Sequence, residues 1–491
     1  MRTIAIGLTP PRKRTHQWFG RRFLLSMICV VLASCASIPE SETPATAREL
    51  RQYTWERSFA APAGEWPTSD WWTSFNDAQL DRLIVEALAN APSIAQADAR
   101  LRQARYRSHS VESTLWPSIS AAAGAQDTKL TYNGIIPANV VPHGYNWMGN
   151  ASLDLSWEID FWGKNRKAVA AAVSQVKAAQ ADASAAHLLL AVAVARAYVQ
   201  LQGFALQSDI AADALRNRQE SEQLVRRRVT EGLDSVANLE QASARVRLAE
   251  AQVAEVNESV QLTRNSLAAL LGAGPDRGLD IELPKLVAHR ALALPAHIEA
   301  DLLGRKPEIV AARWRAEAAA ARVGVARAAF YPNVNLLAFI GYESLGLENL
   351  TNQGSDVGGV GAAIHLPLFE GGRLRAAYGE TRAEYDLAVA SYNEAVTQSL
   401  REIADAIQGL QALKTRVAAT EAALARNSHA YELARMRYQG GLSDYQSVLT
   451  AEDALLATRN ADNALRTRGY TLDIDLVRAL GGGVTNETLV Q

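Results

Sequence analysis

The chain has 491 residues, 50 Lys+Arg against 52 Asp+Glu, and is 48% hydrophobic and 7% aromatic. That is too apolar for a disordered chain and too evenly charged for a nucleic-acid binder, which shows a basic stripe. Its 2 cysteines, Cys29 and Cys35, both lie near the N-terminus and cannot form a disulfide framework. Beyond the N-terminus no run of about 18 uninterrupted apolar residues occurs, so no transmembrane helix is expected there.

Residues 1–34 carry Arg2, Arg12, Lys13, Arg14, Arg21 and Arg22 and no acid, followed by an apolar run from Phe23 to Ala33. This is the basic and apolar sequence of an export signal, too short to span a bilayer. The run ends Leu32-Ala33-Ser34-Cys35, which resembles the bacterial lipobox, where the Cys becomes the diacylated first residue. Small residues at Ala33 and Ser34 suit a signal-peptidase cleft, and the thiol is the acceptor. Residues 1–34 are therefore expected to be a lipoprotein signal peptide and 35–70 an N-terminal tether. Removing 1–34 leaves 44 Lys+Arg against 52 Asp+Glu, net −8. One acyl chain anchors weakly, so a second membrane element is expected.

The rest repeats one plan. Pro92-Ser93-Ile94 and Pro307-Glu308-Ile309 each open a helical pattern, and Trp116-Pro117 and Tyr331-Pro332 each close one; both pairs are offset by 215. Gly163-Lys164-Asn165-Arg166 matches Gly372-Arg373-Leu374-Arg375, Gly232-Leu233 matches Gly441-Leu442, and Leu271-Gly272 matches Leu480-Gly481, all offset by 209. Shared offsets at several anchors mark an internal repeat. Each copy reads helix, strand, strand, long helix, helix. The first copy predicts a helix in 71–116, a hairpin in 117–162 and long helices in 163–274. A linker, 275–298, follows. The second copy predicts a helix in 299–330, a hairpin in 331–371 and long helices in 372–482, ahead of a tail, 483–491.

Segments 164–274 and 368–491 lack proline and are dense in Ala, Leu, Gln, Arg and Glu. Apolar residues recur at helical spacing, as in Leu188, Val192, Ala195 and Val199. One helix from Lys164 to Thr230 would be about 100 Å long. Helices of that length must pack side by side, as in coiled coils. Gly203 and Gly409 interrupt the pattern and mark either local bends or tolerated mid-helix glycines.

Segment 147–160 alternates. Trp147, Gly149, Ala151, Leu153, Leu155 and Trp157 share one face, and Asn150, Ser152, Asp154, Ser156 and Glu158 the other. Bracketing tryptophans on the apolar face fit a membrane β-strand with interfacial aromatics, although a half-buried soluble hairpin alternates in the same way. The matching strand, Val360 to Leu368, puts Val360, Ala362, Ile364 and Leu366 outward and His365 on the other face. Weaker strands start at Ile119 and Val334, with loops at 127–146 and 343–356. Four strands cannot close a sheet in lipid, where an open edge leaves backbone groups unpaired at several kcal/mol each. Closure demands strands from other copies.

These features together resemble the outer-membrane efflux factor family, the TolC/NodT-like outer-membrane lipoproteins. Trp71-Trp72, Phe75, Asp77, Leu80 and Leu83 resemble its opening W-W-x-x-F-x-D-x-x-L-x-x-L. Leu302-Leu303-Gly304-Arg305-Lys306-Pro307-Glu308-Ile309 resembles L-L-x-R-R-P-D-I, and Ala326-Arg327-Ala328-Ala329-Phe330-Tyr331-Pro332 resembles A-R-A-A-x-x-P. Leu366-Pro367-Leu368-Phe369-Glu370-Gly371-Gly372-Arg373 resembles its P-L-F-x-G-G-R strand-to-helix junction. The resemblance covers essentially the whole mature chain. It implies an α+β membrane channel: a homotrimer whose four strands per chain complete a 12-stranded outer-membrane barrel, continued by a periplasmic α-helical barrel. It implies docking to a periplasmic membrane-fusion adaptor and an inner-membrane pump, contact with outer-membrane lipid, and no catalytic residue, cofactor or metal. Ala36, not Asp, follows Cys35, which implies sorting to the outer membrane.

Gly232 and Gly441 stand where the long helices must reverse, with Ser235 and Ser443 able to cap the helices that follow. The resemblance makes these turns the periplasmic tip, carrying the adaptor-docking surface and aperture: Arg228, Gly232, Asp234 and Ser235 in one copy, and Arg437, Tyr438, Gly441 and Asp444 in the other. Tyr438 matches a family gating tyrosine. In one member, aperture carboxylates occupy the positions of Asn238, Ser447 and Thr450, so that acidic ring is missing here. Asp234 and Asp444 are the remaining local carboxylates, facing either lumen or solvent. No His-Glu-x-x-His, Gly-x-Ser-x-Gly or P-loop speaks for an enzyme; Gly481-Gly482-Gly483 reads as a helix stop. The function expected is an exit channel for small toxic compounds. The alternatives are a type I protein-secretion duct and a non-porous lipid-anchored periplasmic coiled-coil scaffold.

Overall fold

The computed structural model describes residues 45–49, 52–55, 57–59, 63–286, 294–295 and 304–483. The signal peptide, Cys35 and the tail beyond Gly483 lie outside them, as do parts of the tether and linker. Among the described residues the chain forms two compact units. One comprises Ser108–Ala172 and Ala318–Asp386; the other comprises Ala45–Arg107, Val173–Glu317 and the chain from Leu387 onward.

The first unit holds one antiparallel sheet of four strands, β1 (Ser118–Thr128), β2 (Asn146–Ile159), β3 (Asn333–Leu345) and β4 (Asp356–His365), in the order β1-β2-β3-β4. The period-2 pattern is what makes these strands, because each buries or exposes whole faces. Register fixes the faces: Leu153 lies opposite Ala121 and Ile340, and Leu155 opposite Ile119 and Ala338, which in turn lies opposite Val360. β4 starts earlier than the sequence suggests and ends at His365, so Leu366 is not in it. The glycines Gly358, Gly359 and Gly361 hide the front half of that strand from a hydrophobicity pattern.

Among the described residues the α-helices longer than one turn are α1 (Ala78–Asn90), α2 (Pro92–Glu112), α3 (Lys164–Thr230), α4 (Val236–Leu270), α5 (Pro307–Ala328), α6 (Arg373–Gln439) and α7 (Tyr445–Ala479). The single helix expected over 71–116 is four pieces: a 3-10 turn Trp71–Phe75, then α1, then α2, then a 3-10 turn Ser113–Leu115. The break falls at Ala91, which is extended (ψ 131°) because the ring of Pro92 disfavours a helical residue before it.

The second unit is cored by the helical stripe. Leu188, Val192, Ala195 and Val199 are all buried, against Leu80, Leu83, Ile84, Leu267 and Ile474. Asp77 caps α1 by accepting from the Gln79 and Leu80 N–H groups, and Tyr198 Oη donates to its other oxygen at 2.9 Å. One 18-residue window of α3 is apolar enough to pass for a membrane span, but 67% of it is buried, so its apolarity serves packing. Gly203 and Gly409 neither break nor interrupt their helices. A Cβ on Gly203 would stand 2.8 Å from Thr467 Oγ1, and one on Gly409 2.5 Å from Leu472 Cδ2, so both mark close approach of α7.

Four helices end identically. Gly232, Gly272, Gly441 and Gly481 all take positive φ, 71°, 73°, 75° and 94°. At the first, Gly232 N–H reaches Val229 O and Leu233 N–H reaches Arg228 O; at the third, Gly441 N–H reaches Tyr438 O and Leu442 N–H reaches Arg437 O. This is the Schellman closure, which only glycine enters without strain.

Candidate functional site

The tips of the two helical hairpins carry most of the residues singled out in the sequence. Gly232 and Gly441 reverse the chain as expected. Ser235 caps α4, its Oγ accepting from Asn238 N–H at 3.2 Å. The second cap is a correction: Asp444, not Ser443, caps α7, accepting from Ser447 N–H at 3.0 Å and Ser447 Oγ at 2.5 Å. Asp444 is the residue with the extended backbone (ψ 163°) that a cap requires. Ser443 Oγ is buried and without a hydrogen-bond partner among the described residues.

Asp234, Tyr438 and Arg228 come together. Tyr438 Oη donates to Asp234 Oδ2; Asn238 Nδ2 and Ser235 N–H donate to Asp234 Oδ1, each at 2.7 Å. Arg228 lies with its guanidinium 4.8 Å from the Tyr438 ring centre, its Nε 3.8 Å from Asp234 Oδ2, and donates from Nη1 to Tyr438 O at 3.2 Å. The Asp234 side chain is 8% exposed and its carboxylate is engaged by these partners, rather than being a free charge at an opening. Burial pushes its pKa up, but the hydrogen bonds from Tyr438, Asn238 and Ser235 and the Arg228 charge outweigh that and hold it below the ordinary carboxylate range. Burial, then the Asp234 contact, pushes the Tyr438 phenol well above its usual value. The arrangement is a polar clasp from the first hairpin to the second.

Arg437 and Asp444 do not join it; both are exposed. Leu233 and Leu442, one past each glycine, are also exposed. A groove of about 380 Å³ runs along α6 and α7, lined by Asn427, Asp444, Ser447 and Thr450 among others. Two of the positions expected to lack aperture carboxylates thus present hydroxyls to it. Asn238 as a partner of Asp234 was not read from the sequence: Asp234 precedes the Ser235 cap and Asn238 lies in the first turn of α4.

The sheet is the second functional element. Trp147, Leu153 and Trp157 share an exposed face, as the alternation predicts. Ile119, Ile340, Val360 and Ile364 extend it over all four strands, with Val360 88% exposed. Gly149 is the exception, buried because Leu347 and Leu350 fold over it. The other face carries Asn150, Ser152, Asp154 and Asn335, with Leu337 and Phe339 as apolar members. Further exposed aromatics, Trp116, Phe161, Trp162 and Phe369, flank the strand ends nearest the long helices. They sit outside any alternating run, which is why the sequence pattern misses them. Trp162 stacks on Tyr331 at 4.7 Å and donates to Pro332 O at 2.8 Å. No group of His, Cys, Asp and Glu among the described residues is arranged to hold a metal.

Comparison with known proteins follows this architecture. The chain is 34% identical over 362 residues to the fusaric acid resistance protein FusA of Burkholderia cepacia, covering 72% of this chain and 68% of that one. It is 30% identical to the multidrug resistance outer membrane protein MdtQ of Escherichia coli O157:H7, over 93% of this chain and 96% of that one. It superposes on the crystal structure of the outer membrane protein VceC of Vibrio cholerae with a TM-score of 0.80 and 41% identity, over 85% of this chain and 100% of that one. The family profile described as outer membrane efflux protein matches residues 83–273 and 300–482. The chain belongs to the outer membrane efflux protein family.

Proposed function

We propose that the chain is the outer-membrane exit duct of a tripartite efflux pump, built as a homotrimer and conducting small toxic compounds. The observation that carries this is the sheet: one face is apolar on all four strands, yet β1 and β4 each pair on one side only within the chain. In lipid such edges must be closed. Three copies make twelve strands, enough for a barrel with a lumen. The apolar face then meets lipid, with Trp147 and Trp157 at its two borders. Conduction, rather than catalysis, is its role.

The hairpin tips are the docking surface for a periplasmic adaptor, and through it for an inner-membrane pump. Exposed Leu233, Leu442 and Arg437 support this, since they offer apolar and cationic contacts on turns that Schellman closure makes rigid. The Tyr438–Asp234–Arg228 clasp holds the aperture. Cys35 carries the lipid anchor, supported by the Leu32-Ala33-Ser34-Cys35 sequence. The names of the relatives, fusaric acid and multidrug resistance, favour small molecules over secreted proteins as cargo.

The test is deletion of the gene and measurement of intracellular dyes, antibiotics and metal ions, with Cys35→Ser as a companion. Raised accumulation reversed by re-expression is expected. Unchanged accumulation together with no conductance in planar bilayers would leave the non-porous scaffold; unchanged accumulation with conductance would leave the secretion duct.

A further inference from the structure

We propose that Asp154 of β2 and Phe339 of β3 form a site on the polar face of the sheet that holds an organic cation with an apolar body on its way through the lumen. The proposal rests on the efflux-duct reading above, which turns this face inward, and deepens it by naming a class of cargo.

The polar face is built in rows across the strands. In one row Asp154 lies opposite Phe339, and Phe339 opposite Gly359. In the next, Ser156 lies opposite Leu337, and Leu337 opposite Gly361. Side chains directly opposite have Cβ atoms about 5 Å apart, so the carboxylate and the ring are neighbours. Phe339 and Leu337 are 47% and 46% exposed. On a face otherwise made of polar and small residues they form one apolar patch. An apolar body laid against them leaves water, which favours its binding.

The two glycines make room for such a body. A Cβ on Gly359 would stand 2.8 Å from Phe339 Cε1, so the ring leans into space that only glycine leaves open. A Cβ on Gly361 would meet nothing within 4 Å, so the wall beside Leu337 is clear.

The charge on this face selects the sign of the ligand. None of the four strands contains a Lys or Arg, and the polar face carries Asp154, Glu158 and Glu343. Glu158 is answered by Lys164 at 3.0 Å. Asp154 has no such answer among the described residues, where its recorded side-chain partner is Ser152, whose Oγ donates to Oδ2 at 2.8 Å. A carboxylate short of a cation, set beside an aromatic ring, suits a substituted ammonium ion. The carboxylate attracts its charge, and the negative face of the ring attracts a cation within about 6 Å of the ring centre. An organic anion is repelled by both. A small hydrated metal ion gains nothing from Leu337.

Duplication did not supply the site. One repeat earlier, Phe339 and Leu337 correspond to Gly124 and Ala122; one repeat later, Asp154 corresponds to Ala363. The first hairpin gives the acid and the second gives the ring. Each chain therefore carries one site, and a trimer three.

The experiment titrates the purified full chain, in a non-ionic detergent, into ethidium, a flat organic cation, and into fluorescein, an anion of similar size. Fluorescence anisotropy reads binding, and planar-bilayer conductance is recorded on the same preparation. The native chain is expected to bind ethidium saturably and fluorescein not at all. Phe339→Leu, which keeps apolar bulk, and Asp154→Asn should each weaken ethidium binding by at least roughly threefold. Phe339→Tyr, which keeps the ring, should bind as the native chain does and so separates loss of the ring from loss of the fold. Val360→Ala, on the opposite face, should change nothing. A conducting native chain that binds no ethidium, binds fluorescein equally, or binds ethidium undiminished in both weakened variants overturns the site while leaving the duct intact. A native chain that never conducts overturns the duct reading and the site together.

Discussion

Lys306 and Glu402 give the sharpest stability test in the helical unit. Lys306 immediately precedes α5, its carbonyl accepting from Ile309 and Val310 N–H, and its side chain is only 4% exposed. Its Nζ donates to Glu402 Oε2 at 2.7 Å, the one partner recorded for it among the described residues. Glu402 is 19% exposed and has two further partners, Gln398 Nε2 at 3.0 Å and Arg478 Nη2 at 3.9 Å. The two halves of the pair are therefore unequal. Glu402→Gln strands an almost fully buried ammonium beside a neutral amide, a loss of about 3–5 kcal/mol. Lys306→Met leaves a carboxylate that still has an amide, an arginine and some water, and should cost about 1–2 kcal/mol. Burial pushes Glu402 up, but the Lys306 hydrogen bond and charge, then Gln398 and Arg478, hold its pKa below the usual range. Its contribution is thus present above the unfolded carboxylate pKa of about 4.3 and fades as pH falls through the lower folded value. Thermal loss of helical circular dichroism in detergent, at fixed protein concentration because oligomer stability depends on it, checks the ranking. The gap between native chain and Glu402→Gln should be wide at neutral pH and shrink strongly in acid. A Lys306→Met variant as damaged as Glu402→Gln, or a gap that does not change with pH, would refute the reasoning.

Three further outcomes are expected. Leu153→Arg, in the middle of the apolar sheet face between Ala121 and Ile340, should cost about 2–4 kcal/mol on insertion, whereas Ser156→Arg on the opposite face should be tolerated; yield of folded protein in lipid vesicles separates them. Asp444→Ala should lower stability as a lost helix cap and Ser443→Ala by almost nothing, read from parallel melting curves. Gly203→Ala should destabilise by about 1–3 kcal/mol through contact with Thr467, despite the roughly 1 kcal/mol that alanine gains in helix propensity. Pairing it with Thr467→Ala should recover most of the loss.

The elements most legible in the sequence were those set by periodicity. The alternation of Trp147 to Trp157 fixed a face that the register confirms, and the proline-free stretches became 67-residue helices. The 209-residue offset placed both reversing glycines. Less legible was whatever depends on backbone angles or on a distant partner. Ser443 and Asp444 are both good capping types and adjacent; only the extended backbone of Asp444 decides between them. Asp234 read as a solvent or lumen charge because Tyr438, 204 residues away, carries no mark that it will bury it. Gly203 read as a flaw in a helix because Thr467 is 264 positions further on. The buried Arg218–Glu452 pair, 234 residues apart, is invisible in charge patterning, where both look like ordinary surface residues of long helices.

Duplication alone could not have made the contacts that join the hairpins. Two identical copies would place the same side chains at matching positions, and the tip clasp shows what that would yield. Shifted by one repeat, Asp234 becomes Ser443 and Tyr438 becomes Val229. The mirror of the Tyr438–Asp234 bond would be a valine facing a serine, and Ser443 Oγ indeed finds no hydrogen-bond partner among the described residues. The same holds where Arg218 meets Glu452 and Arg245 meets Asp453, since the two arginines have Asn427 and Ala454 as counterparts one repeat away. What the copies share is backbone: glycine closures, cap positions and helix lengths, including two helices of 67 residues and two of 35. What they do not share is the anion at the Tyr438 and Arg218 contacts, since Asp234 and Glu452 each have a serine as counterpart one repeat away. Symmetric scaffolding sets where the hairpins lie, and divergence at a few buried positions sets how firmly they are held. It follows that restoring symmetry at Glu452, by the serine its repeat partner carries, should loosen the hairpins from each other, while the same change at Asp234 should also release Asn238 and Ser235 within the first hairpin.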